Sequence, residues 1–170
     1  LRAILAGFGV ALETVVDGDH GASKKPRTYI VAGHPHGAFP VAQIGLGMLR
    51  FRLHPPEHTG RFTLCAAEVL FWLSLLREFM LLGGCRSATR AHLRRSLKYG
   101  GTIVVNPGGN YEMTCTEHTQ EQVFAQPGLG FVRLAMETGT PLLPQYAFNE
   151  NQIFHTYHWL RSARLWLVRN

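Results

Sequence analysis

The sequence predicts an α/β domain: a mostly parallel sheet flanked by helices. Short β-branched and aromatic runs (28–33, 102–105, 142–148) alternate with longer apolar-periodic segments, the order that builds parallel strands joined by crossover helices. Gly and Pro mark the junctions. The 170 residues are 46% hydrophobic and 16% charged, enough apolar mass for one domain with a buried core and too little charge for a disordered chain.

Taken in order, an apolar run opens at Leu1, and 17–27 reads as a polar loop. The chain begins on Leu rather than Met and ends in the apolar run 165–168, so a fragment truncated at both ends is expected. Thr28 to Gly33 is a buried strand that stops at His34-Pro35-His36-Gly37. Residues 40–50 read as a helix on the sheet, and His54-Pro55-Pro56 as a loop, because paired prolines oppose both helix and ladder. Phe62 to Leu82 is expected to be helical and closed by Gly83-Gly84. Glu68, Arg77 and Glu78 interrupt its apolar run, which predicts a buried amphipathic helix; a helix lying in a membrane interface is the alternative.

Ser87 to Tyr99 is the next helix, with Ser87 as its N-cap candidate and Gly100-Gly101 as its stop. Thr102 to Val105 is a second buried strand, ending in Asn106-Pro107-Gly108-Gly109. Residues 126–130 open a helix over Phe131 to Thr138, stopped by Gly139, and Leu142 to Phe148 is a third strand. No repeat or low-complexity tract interrupts this pattern.

Composition narrows the chemistry. Only two aspartates, Asp17 and Asp19, stand among the acids, which argues against a metal held in a carboxylate cage. Three separated cysteines without a CxxC pair exclude a disulfide scaffold and a zinc ribbon, and read as small core residues. The net charge of +6 suits anionic headgroups, nucleic acid or a phosphorylated cofactor, and no nucleic-acid motif accompanies it.

Ligands of open α/β sheets gather beyond the carboxyl ends of the strands. Three such ends here carry chemistry: the histidine turn 34–37, the block 106–112, and Phe148-Asn149-Glu150. A histidine is the side chain best matched to proton transfer near neutral pH. Pro35 holds His34 and His36 in place, and Gly37 permits a positive φ that aims an N–H at a developing oxyanion. On an extended segment both histidines share a face, so either is a candidate base. Glu112 is placed to orient a histidine, and Gly108 and Gly109 to bring backbone close to a ligand, their amides being oxyanion donor candidates beside Gly37. A metal site on His34 and His36 would need further ligands, and no nearby Asp or Cys supplies them. Arg86, Arg90 and Arg94 fall at helical spacing; they read as a solvated face, or as a seat for the phosphates of a cofactor or for lipid headgroups.

These blocks together resemble the type-2 diacylglycerol acyltransferase family, which also holds monoacylglycerol and wax-alcohol acyltransferases. Gly33 to Gly37, Leu76 to Gly84, the strand with Pro107 to Glu112, and Gly130 to Glu150 fall in family order, from about Tyr29 to Phe154. The resemblance implies the glycerolipid acyltransferase fold, transfer of an acyl group from acyl-CoA to a neutral lipid acceptor, and no permanently bound cofactor or metal. It implies a membrane protein of the endoplasmic reticulum, with the lipid droplet as a second location and self-association left open. It places the family's histidine block on His34 to Gly37 and its glutamate on Glu112. A further block falls on Tyr146 to Glu150, making Glu150 a substrate-binding candidate, although Asn149 stands where relatives carry glycine. Phosphoglyceride acyltransferases place an Asp shortly after the histidine, whereas position 39 here is Phe39. Two other classes stay open: a metal-dependent hydrolase on His34 and His36, and a lipid-binding domain without activity.

Overall fold

A computed structural model of the chain describes residues 28–45, 62–124, 129–157 and 159–169. The expected loops at 17–27 and 54–56, residues 46–50 of the first helix, and 126–128 lie outside the described residues.

Five parallel strands form one sheet: β1 (Ile30–His34), β2 (Phe62–Ala66), β3 (Cys85–Ser87), β4 (Thr102–Val105) and β5 (Leu142–Tyr146), in the order β3-β2-β4-β1-β5. The α/β expectation holds. β1 lies between β4 and β5, and Ile30 and Val31 are buried because helices cover both faces of a parallel sheet.

The helices are α1 (Ser74–Leu82), α2 (Arg90–Lys98), α3 (Gly109–Cys115), α4 (Gly130–Thr138) and α5 (Arg161–Arg169), with 3₁₀ turns at Glu68–Phe71 and Glu150–Gln152. Residues 41–45 are also helical. Successive strand residues point to opposite faces. On one face Ile30, Ile103 and Val105 pack with Leu93 and Leu97 of α2 and Leu134 and Ala135 of α4. On the other, Val31, Leu64, Cys85 and Val104 meet Phe71 and Met80. Right-handed crossovers require this division, since the two leftward connections and the two rightward ones must cover opposite faces.

The expected helix over Phe62 to Leu82 is a correction. Its first five residues are β2, and only Ser74–Leu82 forms α1, capped by Gly83. Leu64 stands in register with both Val104 and Cys85, so pairing on two sides outweighs the helical composition of this segment. Ser87 is likewise the last residue of β3 rather than a helix cap; α2 begins at Arg90. Arg86 therefore lies on a strand and shares no helix face with Arg90 and Arg94. The block 106–112, read as a turn, is a turn only at its start and winds into α3 from Gly109.

The cysteines are free, with Cys85 and Cys115 buried. Burial pushes the Cys65 thiol up to about 12 and raises that of Cys85, which keeps both protonated and unreactive.

Candidate active site

His34 is the last residue of β1, so it emerges at the carboxyl edge of the sheet beside Tyr146, its register partner on β5. A Cβ on Gly33 before it would come within 2.8 Å of Gln43 Nε2, so a larger residue there would displace the buried Gln43 side chain. The turn is tied to β5, where Ala147 N–H donates to the His34 carbonyl at 2.7 Å.

β4 ends on the neighbouring strand and turns into α3, whose first turn carries Glu112. Gly109 N–H donates to the Asn106 carbonyl at 3.0 Å and closes that turn. Glu112 is fully buried, and its Oε1 lies 3.4 Å from His34 Nδ1. The same oxygen accepts the Phe124 N–H at 3.1 Å. A carboxylate only accepts, so His34 Nδ1 is the protonated nitrogen and the neutral ring keeps its lone pair on Nε2. That is the tautomer a general base requires.

His36 is arranged differently. Its Nδ1 donates to the Gly37 carbonyl at 3.1 Å, a bond within the turn itself. The sequence leaves either histidine open as the base; in the structure Glu112 is paired with His34. The chain bends after His34 instead of continuing as a strand, so alternation no longer sets the direction of the second ring.

The three glycines separate in role. Gly37 has φ 62° and is buried against Glu150, whose Cγ would stand 3.1 Å from an added Cβ. Gly108 lies directly under Glu112: a Cβ there would meet Glu112 Cβ, Glu112 Oε2 and the Phe124 carbonyl, each at 2.4 Å. It makes room for the carboxylate. The Gly109 amide, committed to Asn106, is not an oxyanion donor in this geometry, which corrects that expectation.

Glu150 also departs from its expected role. It is buried, and both carboxylate oxygens accept the Ala42 N–H, at 3.3 and 3.2 Å, at the start of the helical residues 41–45. Burial pushes it up to about 7, opposed by the bonds from Ala42 and Val41 and assisted by the nearby charge of Glu121. Glu150 holds the backbone behind the histidine turn, and a substrate does not reach it there. The arginines stand apart from His34 as well. Arg86 donates to the Cys85 carbonyl at 2.8 Å. Arg90 pairs with Glu137 of α4, and Arg94 approaches the same carboxylate at 3.9 Å.

Sequence reasoning missed Glu121 and Phe124, and named Tyr146 only as the start of the block 146–150, with no role. Tyr146 Oη donates to Glu121 Oε2 at 2.8 Å, and Glu121 Oε1 accepts the Asn149 N–H at 2.8 Å. Desolvation of the phenol, with the Glu121 bond and charge beside it, pushes Tyr146 up to about 12 and keeps it a donor. Nothing in the local pattern marks residue 121, because its partners lie 25 and 28 residues away. Exposed aromatic rings flank the edge: Phe39 stands edge-on to Phe154, and Phe148 edge-on to Tyr146. Among the described residues, no group of three or more His, Cys, Asp or Glu side chains is placed to hold a metal, and no helix is long and apolar enough to cross a membrane.

A family described as diacylglycerol acyltransferase matches residues 10–169. Human diacylglycerol O-acyltransferase 2-like protein 6 is 30% identical over 145 residues, 80% of this chain and 41% of that protein. Human acyl-CoA wax alcohol acyltransferase 2 is 29% identical over 136 residues, covering 75% of this chain and 40% of its own length. Human 2-acylglycerol O-acyltransferase 3 is 30% identical over 139 residues, covering 75% and 39%. The chain thus spans well under half the length of these curated relatives. No solved structure matches it significantly. With nearly all of its residues covered by the family match, the chain belongs to the diacylglycerol acyltransferase family.

Proposed function

We propose that this chain is the catalytic domain of a membrane-associated O-acyltransferase that moves a fatty acyl group from acyl-CoA to the hydroxyl of diacylglycerol, giving triacylglycerol. The pairing of His34 Nδ1 with the buried Glu112 carboxylate carries the reading. In the reaction, His34 Nε2 takes the acceptor's hydroxyl proton as its oxygen attacks the thioester carbonyl. The C–S bond then breaks, and the imidazolium returns the proton to the departing thiolate. Glu112 stabilises the imidazolium between these steps. Gly37 is the backbone candidate for the developing oxyanion, at the turn beside the base.

The exposed rings of Phe39, Phe148 and Phe154 favour an apolar substrate at this edge. A neutral lipid acceptor is dissolved in a bilayer, so the site works at a membrane surface; by resemblance that membrane is the endoplasmic reticulum, with the lipid droplet second. The relatives named for wax alcohol and 2-acylglycerol are as similar as the one named for diacylglycerol, which supports a second reading with one of those acceptors. The test is labelled long-chain acyl-CoA supplied to the full-length protein in membranes with a panel of acceptors. Triacylglycerol as the main labelled product is expected, a monoacylglycerol or alcohol ester in its place selects the second reading, and no ester from any acceptor overturns both.

A further inference from the structure

Residues 117–124 cross the carboxyl edge of the sheet between α3 and the segment after β5, and they are tied down along their length. Asn151, itself buried, donates from Nδ2 to the carbonyls of Gln120 and Gln122 at 3.2 and 3.3 Å. His118 N–H donates to Thr156 Oγ1 at 3.1 Å. The first of these ties comes from the 3₁₀ turn Glu150–Gln152 and the second from irregular chain. Glu121 bonds this segment to the sheet, through the phenol of Tyr146 at the end of β5. Tyr146 in turn is the register neighbour of His34 on the same face. Three residues after Glu121, Phe124 N–H reaches the Glu112 oxygen that faces His34.

We propose that Glu121 and Tyr146 form a latch that positions the catalytic histidine, acting through segment 117–124 and Glu112. The inference deepens the acyltransferase reading and rests on it for its kinetic consequence. Glu121 touches no reacting atom. Its bond to Tyr146 sets the height of the segment over the sheet, and that height sets where Phe124 N–H meets Glu112. Its second oxygen, on Asn149 N–H, fixes the left-handed residue at φ 62° that leads into Glu150. One carboxylate therefore links the backbone holding Glu112 with the backbone packed behind Gly37. Without it, the carboxylate of Glu112 keeps its burial and loses its aim.

The test uses full-length protein in membranes, assayed with labelled acyl-CoA and the preferred acceptor. Glu121→Ala should lower kcat about tenfold with the KM for acyl-CoA within about twofold, and Glu121→Gln, which still offers an oxygen to Asn149, should recover most of the rate. In a Glu112→Gln background Glu121→Ala should cost less than about twofold, because a residue acting through Glu112 has nothing left to position. Additive losses would overturn the latch and leave Glu121 a folding residue. If Glu121→Ala does not accumulate, Tyr146→Phe, which removes one hydroxyl, should reproduce the same non-additivity at a smaller amplitude. A readout without catalysis is the His34 imidazole titration by NMR in detergent. It should move by more than about 0.3 pH units in Glu121→Ala and stay put when Glu112 is already Gln. An unmoved titration overturns the latch, whereas a moved titration with no ester product in the unmodified protein overturns the acyltransferase reading and keeps the latch.

Discussion

His34 Nδ1 and Glu112 Oε1 stand 3.4 Å apart, with the carboxylate fully buried and the imidazole one-fifth exposed. The distance is long for a charge-assisted bond, as catalytic hydrogen bonds are before substrate closes the site. The asymmetry of burial is the useful feature: the orienting group is sealed from water while the ring it orients reaches the surface.

Replacing His34 by Ala should therefore lower acyl transfer by about 10²–10⁴-fold, the usual loss of a general base. His36→Ala should cost less than about tenfold, since its Nδ1 faces a neutral carbonyl rather than a carboxylate that would stabilise an imidazolium. Turnover of the two variants under saturating acyl-CoA and acceptor decides between them. Equal losses would return the base to an unassigned member of the pair.

Glu112→Gln keeps the shape and removes the charge that stabilises an imidazolium. A fall in kcat between about tenfold and 10⁴-fold is expected, with little change in the KM for acyl-CoA. The pH–rate profile should change with it. An unchanged profile would make Glu112 a packing residue of α3.

Gly108→Ala tests the room made for that carboxylate. A methyl group there would sit 2.4 Å from Glu112 Cβ and from the Phe124 carbonyl, and backbone cannot move aside cheaply. A stability loss of about 3 kcal/mol is expected from such overpacking. Thermal unfolding measures it, and any folded remainder should resemble Glu112→Gln in rate.

Glu150 makes a pH-dependent contribution to stability. Its folded-state value, raised to about 7 from 4.5, means that the folded protein holds this proton more tightly than the unfolded chain does. Stability is greatest below about pH 4.5 for this group and falls as pH rises toward 7, by at most about 3 kcal/mol. Glu150→Gln should remove that slope in denaturant titrations run from pH 5 to 8. A slope equal to that of the unmodified protein would show that the carboxylate is already charged throughout the range.

Arg90→Gln should leave the KM for acyl-CoA unchanged, because Arg90 is paired with Glu137. The stability change should stay within about 1 kcal/mol, as for other exposed ion pairs. A severalfold rise in KM, mimicked by salt in the unmodified protein, would restore the arginines as a phosphate seat.

By itself the sequence determined the fold class, three of the five strands, and the two blocks that meet at the carboxyl edge. Those features are written locally: β-branched runs such as 102–105 are buried on both faces, and Gly, Pro and His punctuate their ends. The histidine turn and Glu112 were legible because short motifs follow strands directly. Only the tertiary structure decided the rest. β2 and β3 exist because partners are paired on either side of Leu64, a condition that no window of the chain contains. Choosing His34 over His36 took a carboxylate 78 residues away. Glu150 is a carboxylate like Glu112, and it was assigned to the backbone of residues 41–45 by a bond spanning 108 residues. Each of these outcomes depends on which side chain is buried against which partner, and burial belongs to the packed chain as a whole.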